Sequence, residues 1–182
     1  MNIQSFQDMI AHVGSNLQPN EDWMPVLFLE KDGHAAVVGV PELGETEEQK
    51  DRAAAMIFTA IAITVPDSVA WLTTAWTIPE KDRPRYLNAP YTRPSKHPER
   101  IEIVSVVCID RKEPSDQRHK QAFMIGYIER SKDNPPKIPK WDVHEEPDME
   151  MMGRFPEAIK MGLEKAVPGG NLDMLKKIGE KI

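Results

Sequence analysis

Ile3, Phe6, Ile10, Val13 and Leu17 recur at spacings of three and four. That places them on one stripe of an amphipathic helix that should end near residues 16–19. Residues 23–30 and 34–40 are two β-rich runs joined by Lys31-Asp32-Gly33, and a short connection carrying Asp-Gly predicts a hairpin. Thr46-Glu47-Glu48-Gln49 then reads as a capping box, with the Thr46 hydroxyl serving the amide of Gln49 and two acids at the positive helix end. The helix it opens should run to about Val65, before Pro66. From Ala53 onward it is apolar on nearly every side, through Ala54, Met56, Ile57, Phe58, Ile61, Ile63 and Val65. Such a helix must be buried on more than one face.

Three further strands are expected at 68–78, 100–110 and 120–130, each rich in β-branched or aromatic residues. In the second of these, Ile101, Ile103, Val107 and Ile109 share one face while Val104, Val106 and Cys108 share the other. The third repeats this, with Met124 and Ile128 against Phe123, Ile125 and Tyr127. Strands apolar on both faces belong to a sheet covered on both faces. Trp71 and Trp76 point to opposite faces because an odd number separates them. The face with Ala70, Leu72, Thr74, Trp76 and Ile78 is the more apolar and should meet the central helix. Trp71 would then lie beside Thr73 and Thr77 on a mixed surface suited to contacts.

Residues 79–98 and 134–156 hold five prolines each and are expected as extended segments lying on a surface. Helical spacing returns at 155–166 and 172–182, broken by Pro168-Gly169-Gly170. The fold expected is α/β of the α+β type. It has a single, mostly antiparallel five-stranded sheet in the order β-β-α-β-β-β, one central buried helix, an N-terminal amphipathic helix and C-terminal helices. Residues 1–130 form the core domain, and 131–182 form a proline-rich arm and helical extension packed on the core or on a neighbouring subunit.

Composition narrows the class. A chain of 182 residues with 40% hydrophobic and 29% charged residues can bury a core without disulfide or metal staples. The net charge of −6 argues against a surface that binds nucleic acid or anionic membrane as a whole. Cys108 stands alone, which excludes an internal disulfide and a Cys-paired zinc site and fits a reducing compartment. The longest apolar run, 53–65, is shorter than the roughly 18 residues of a membrane span, and no basic start precedes an apolar run at the N-terminus. A soluble cytoplasmic protein with no membrane partner is expected.

The one clearly basic stretch, 81–100, carries Arg83, Arg85, Arg93, Lys96 and Arg100 with Tyr86 and Tyr91 interleaved. Arginine beside tyrosine can grip phosphates and stack on bases, as single-stranded nucleic-acid and nucleotide-phosphate sites do. An acidic run, Asp142, Glu145, Glu146, Asp148 and Glu150, follows Trp141. It could dock on that basic loop within the chain or between subunits. Trp71, Trp141, Glu145, Glu146 and Asp148 are thus the interface candidates.

Neither His144-Glu145-Glu146-Asp148 nor Asp110, Glu113, Asp116 and His119 has a known metal-ligand spacing, and no nucleophile elbow or phosphate-binding glycine loop occurs. Cys108, mid-strand among valines, should be inert. No catalytic residue, metal or cofactor is expected. The leading expectation is a non-enzymatic interaction or assembly protein that self-associates as a homo-oligomer. The alternatives are a nucleic-acid or phosphorylated-ligand module using the basic loop, and a hydrolase using Asp110, Asp116 or His119.

Overall fold

The computed structural model describes residues 3–40, 46–82, 97–113, 119–145, 153–165 and 167–175. Helix α1 (Ile3–Gly14) is followed by the hairpin β1 (Val26–Lys31) and β2 (His34–Gly39). Helix α2 (Glu47–Thr64) precedes β3 (Ser68–Thr77), and β4 (Ile101–Asp110), β5 (Gln121–Glu129) and β6 (Lys137–Glu145) complete the strands. Helix α3 (Arg154–Glu164) follows. The strands form one antiparallel sheet in the order β2-β1-β3-β4-β5-β6.

The hairpin turns on two residues, Asp32 and Gly33, both with positive φ (50° and 75°). That handedness matches the twist of the flanking strands. The capping box of α2 forms in full, with Gln49 N–H donating to the Thr46 hydroxyl and the Gln49 side chain accepting from the Thr46 amide. At the other end of α2, Val65 takes a left-handed conformation (φ 53°), a costly one for a β-branched residue. The Lys31 ammonium steadies that turn by donating to the carbonyls of Val65 at 2.9 Å and Gly170 at 3.2 Å. A cation there also complements the negative end of the helix.

The sheet is covered twice. On one face Leu27, Leu29, Val69, Trp71, Val107 and Ile109 pack with Ile57 and Ile61 of α2 and Ile159 and Leu163 of α3. On the other, Ala70, Leu72, Val104, Val106 and Met124 pack with Phe6 and Ile10 of α1 and with Trp23. The Trp23 indole N–H donates to the Ile10 carbonyl at 3.1 Å, so α1 is pinned as well as packed. Arg130 fastens the same layer from outside by bridging Glu102, Asp22 and the Pro19 and Glu21 carbonyls.

Two expectations are corrected. Among the described residues the sheet has six strands, not five, because 137–145 of the second proline-rich segment pairs with β5. Its prolines disguise it, but an edge strand tolerates proline because one side of its backbone has no partner. The two tryptophans also exchange roles. Trp71 is 2% exposed under α3, its ring 5.3 Å from that of Phe155, while Trp76 is 40% exposed on the α1 side. Register decides this: Trp71 sits between Leu27 and Val107, whereas Trp76 sits opposite Glu102 near the strand end. Trp71 is therefore an internal contact of this chain, not an open surface. Of the second C-terminal helix expected at 172–182, residues 176–182 lie outside the described residues.

Helix α3 reaches α2 through Gly162. A Cβ there would lie 2.8 Å from Ile61 Cβ and 3.1 Å from the Phe58 carbonyl oxygen. Gly162→Ala gains about 1 kcal/mol of helix propensity and loses about 1–3 kcal/mol to overpacking. A net loss of stability is expected in urea unfolding, and a more stable variant would refute this close crossing.

Candidate functional site

A sheet has two edges, and here they differ in kind. The β6 edge carries Lys137, Pro139, Lys140 and Asp142, the charges and proline that keep other strands away. The β2 edge reads His-Ala-Ala-Val-Val-Gly, with no carboxylate, lysine, arginine or proline.

The turn sets which way the β2 backbone points. Lys31 and His34 close the two-residue turn as a bonded pair, so Ala36 and Val38 bond inward to Leu29 and Leu27. Val40 continues the series by donating to the Pro25 carbonyl at 2.9 Å. Ala35, Val37 and Gly39 therefore direct their N–H and C=O groups outward, where no described strand pairs with them. Two of the most exposed large apolar side chains flank this edge: Val37 at 59% and Met24 at 57%. Val37 lies opposite Phe28 on the α1 side of the sheet, and the Met24 sulfur and methyl approach Gly39 on that same side.

The candidates expected from the sequence form no single site among the described residues. Arg83, Arg85, Tyr86, Tyr91, Arg93 and Lys96 lie outside the described residues, as do Asp116, Glu146 and Asp148. Arg100 stacks its guanidinium 4.6 Å from the centre of the Trp76 ring, a cation–π contact. Trp141 is half-buried on the α1 side, against the space a Gly126 side chain would fill. Glu145 is exposed and lines a cavity of about 160 Å³ with Cys108 and Asp110.

Asp110 and His119 are not assembled as a catalytic pair. The Asp110 side chain lines that cavity under α1, while the buried His119 ring touches only the Asp110 carbonyl and accepts from the Lys112 amide at 3.1 Å. Its Nε2 faces Glu164 of α3 at 3.9 Å, beyond hydrogen-bond range. Burial pushes the imidazole pKa down, favouring the neutral ring. Among the described residues no group of three or more His, Cys, Asp or Glu side chains could hold a metal, and no helix is long and apolar enough to cross a membrane.

A polar cluster that the sequence reading missed lies where α2 and α3 leave the sheet open, in a depression of about 510 Å³. Tyr127 donates to Asp142 at 2.6 Å, and Lys140 approaches the other carboxylate oxygen at 3.1 Å while its ammonium lies 4.8 Å from the Tyr127 ring centre. The Tyr127 hydrogen bond, then Lys140, hold the Asp142 carboxyl below its ordinary range, and Asp142 in turn raises Lys140. Alternation would put Lys140 and Asp142 on one face once β6 is recognised as a strand, and the β5–β6 register then sets them beside Tyr127. Their charges are largely spent on one another, so the cluster braces β6 on β5.

Comparison with protein-family models, with curated proteins and with solved structures found no match.

Two outcomes check this geometry. Tyr127→Phe removes the foremost hydrogen bond on Asp142, so the Asp142 pKa followed by NMR should rise toward the ordinary value; an unchanged pKa would show that the bond does not form. Cys108 is 7% exposed and its thiol is pushed up to about 12, chiefly by burial. A thiol reagent at pH 8 should label it only after unfolding, and rapid labelling of folded protein would contradict its burial.

Proposed function

We propose that the protein is a non-enzymatic interaction and assembly module that self-associates, and that β2 is its docking element. One observation carries this reading: an uncharged, proline-free edge strand with outward backbone groups at Ala35, Val37 and Gly39, in a sheet whose other edge is guarded. Unpaired N–H and C=O groups in a row are a template for another strand, and the main-chain bonds of strand addition need no particular side chain. Val37 and Met24 add apolar surface at the same place. The apolar sheet faces do not bear on this reading, because the chain's own helices cover them.

Light scattering at two concentrations tests it. The mass should rise above 20.7 kDa with concentration. Val37→Lys should weaken association by at least about tenfold, because it places a charge on the docking edge. Val37→Pro should do the same, since the N–H it removes points outward and the ladder to β1 survives. A wild-type chain that stays at monomer mass at every concentration would overturn the reading.

A further inference from the structure

The geometry of β2 points to a specific occupant: we propose that a second copy of this chain pairs antiparallel with it about a two-fold axis at Val37. This rests on the assembly reading above and adds a partner and a register to it. In an antiparallel ladder outward-facing residues must meet outward-facing residues. With Ala35, Val37 and Gly39 outward, the pairing centred on the strand sets Val37 against the partner's Val37 and Ala35 against the partner's Gly39, with Gly39 against the partner's Ala35. Each pair exchanges two bonds, giving about six across the seam. A register shifted by one residue would face outward groups with inward ones and make none of them.

The side chains agree with this register. Because the axis stands perpendicular to the sheet, the α1 side of one copy continues as the α1 side of the other. Val37 meets its own copy there, and Met24, lying over Gly39, comes beside the partner's Ala35. These are the apolar side chains the single chain leaves exposed at this edge. On the opposite side Ala36 faces the partner's Val38. No charged residue opposes a like charge, which a two-fold pairing of identical strands otherwise risks. The β6 strand shows the contrast, since Lys137, Pro139, Lys140 and Asp142 make it unfit to meet itself or β2. Pairing β2 with β6 would also run head to tail, as a filament or a larger ring, whereas pairing β2 with itself closes at two copies. A foreign strand is less suited to this edge, because selective strand addition relies on side-chain pockets. Ala35, Ala36 and Gly39 provide none.

Cysteine placement in the full chain reads the register. Residues facing across the axis have Cα atoms about 5.5 Å apart, within disulfide range. Val37→Cys should therefore convert to a covalent dimer under mild oxidation. The two copies of residue 35 would stand four positions apart along the ladder, about 13 Å, so Ala35→Cys, exposed on the same edge, should cross-link at least tenfold more slowly. Light scattering should level off at twice the chain mass. Equal cross-linking of the two variants, no cross-linking at position 37, or growth beyond a dimer overturns the two-fold. If the wild-type mass still rises and Val37→Lys still lowers it, the docking edge stands and only the register falls. If the wild-type chain is monomeric throughout, the assembly reading falls with it.

Discussion

Strands β3 and β4 are apolar on both sides, and most of the molecule follows from covering them twice. Val69 and Trp71 face one way, Ala70 and Leu72 the other; Val107 and Ile109 face against Val104, Val106 and Cys108. Left to water, either face would forfeit roughly 25 cal/mol for each Å² of apolar surface. Helix α2 covers one face, but only over the strands nearest it, and α3 completes the layer by closing on α2 at Gly162 and on Trp71 through Phe155. The opposite face is closed by α1 with Trp23. The cover is deepest over β1, β3 and β4 and thins toward both edges, so the edges meet solvent and must be managed by their own chemistry.

That division explains where the polar groups sit. Arg130 ties the connection after α1 to Glu102. Lys31 holds the end of α2 against Gly170. Tyr127, Lys140 and Asp142 brace β6 where the helical layer is missing. Each of these cations or carboxylates has its main partner within the chain, and the shifts of Asp142 and Lys140 follow from the bracing itself. Perturbed titration therefore marks structural pairing here. His119, the one buried histidine with a depressed pKa, meets a backbone carbonyl and a distant Glu164 rather than a nucleophile.

Local signals were legible in the sequence wherever one short segment determines its own conformation. Asp32-Gly33 marks a turn that needs positive φ, Thr46 with Gln49 marks a helix start, and runs of β-branched and aromatic residues mark β3, β4 and β5 to within a residue or two. Strand β6 was missed because its pairing is supplied by β5, while Pro135, Pro136 and Pro139 signal against regular structure. The helix-facing side of β3 was misjudged for a related reason. Counting apolar residues along one strand ignores the cross-strand neighbours, and Leu27 and Val107 decide for Trp71 what Thr73 and Thr77 argue against. Charge runs, by contrast, locate where solvent is met but not what is met there.

No charged or catalytic group marks the β2 edge, whose character lies in what its side chains lack. Nothing in His34-Ala35-Ala36-Val37-Val38-Gly39 suggests chemistry, and as half of a hairpin the strand is ordinary. Its significance comes from position: the order β2-β1-β3-β4-β5-β6 puts this strand at a margin, and the two-residue turn sets Ala35, Val37 and Gly39 facing outward. A lysine at position 37 would guard this edge without disturbing β1, since that side chain is already 59% exposed. The same sheet guards β6 with two lysines and a proline. Leaving a valine at the centre of the other edge makes that edge the surface where a strand can be added with the least desolvation of charge.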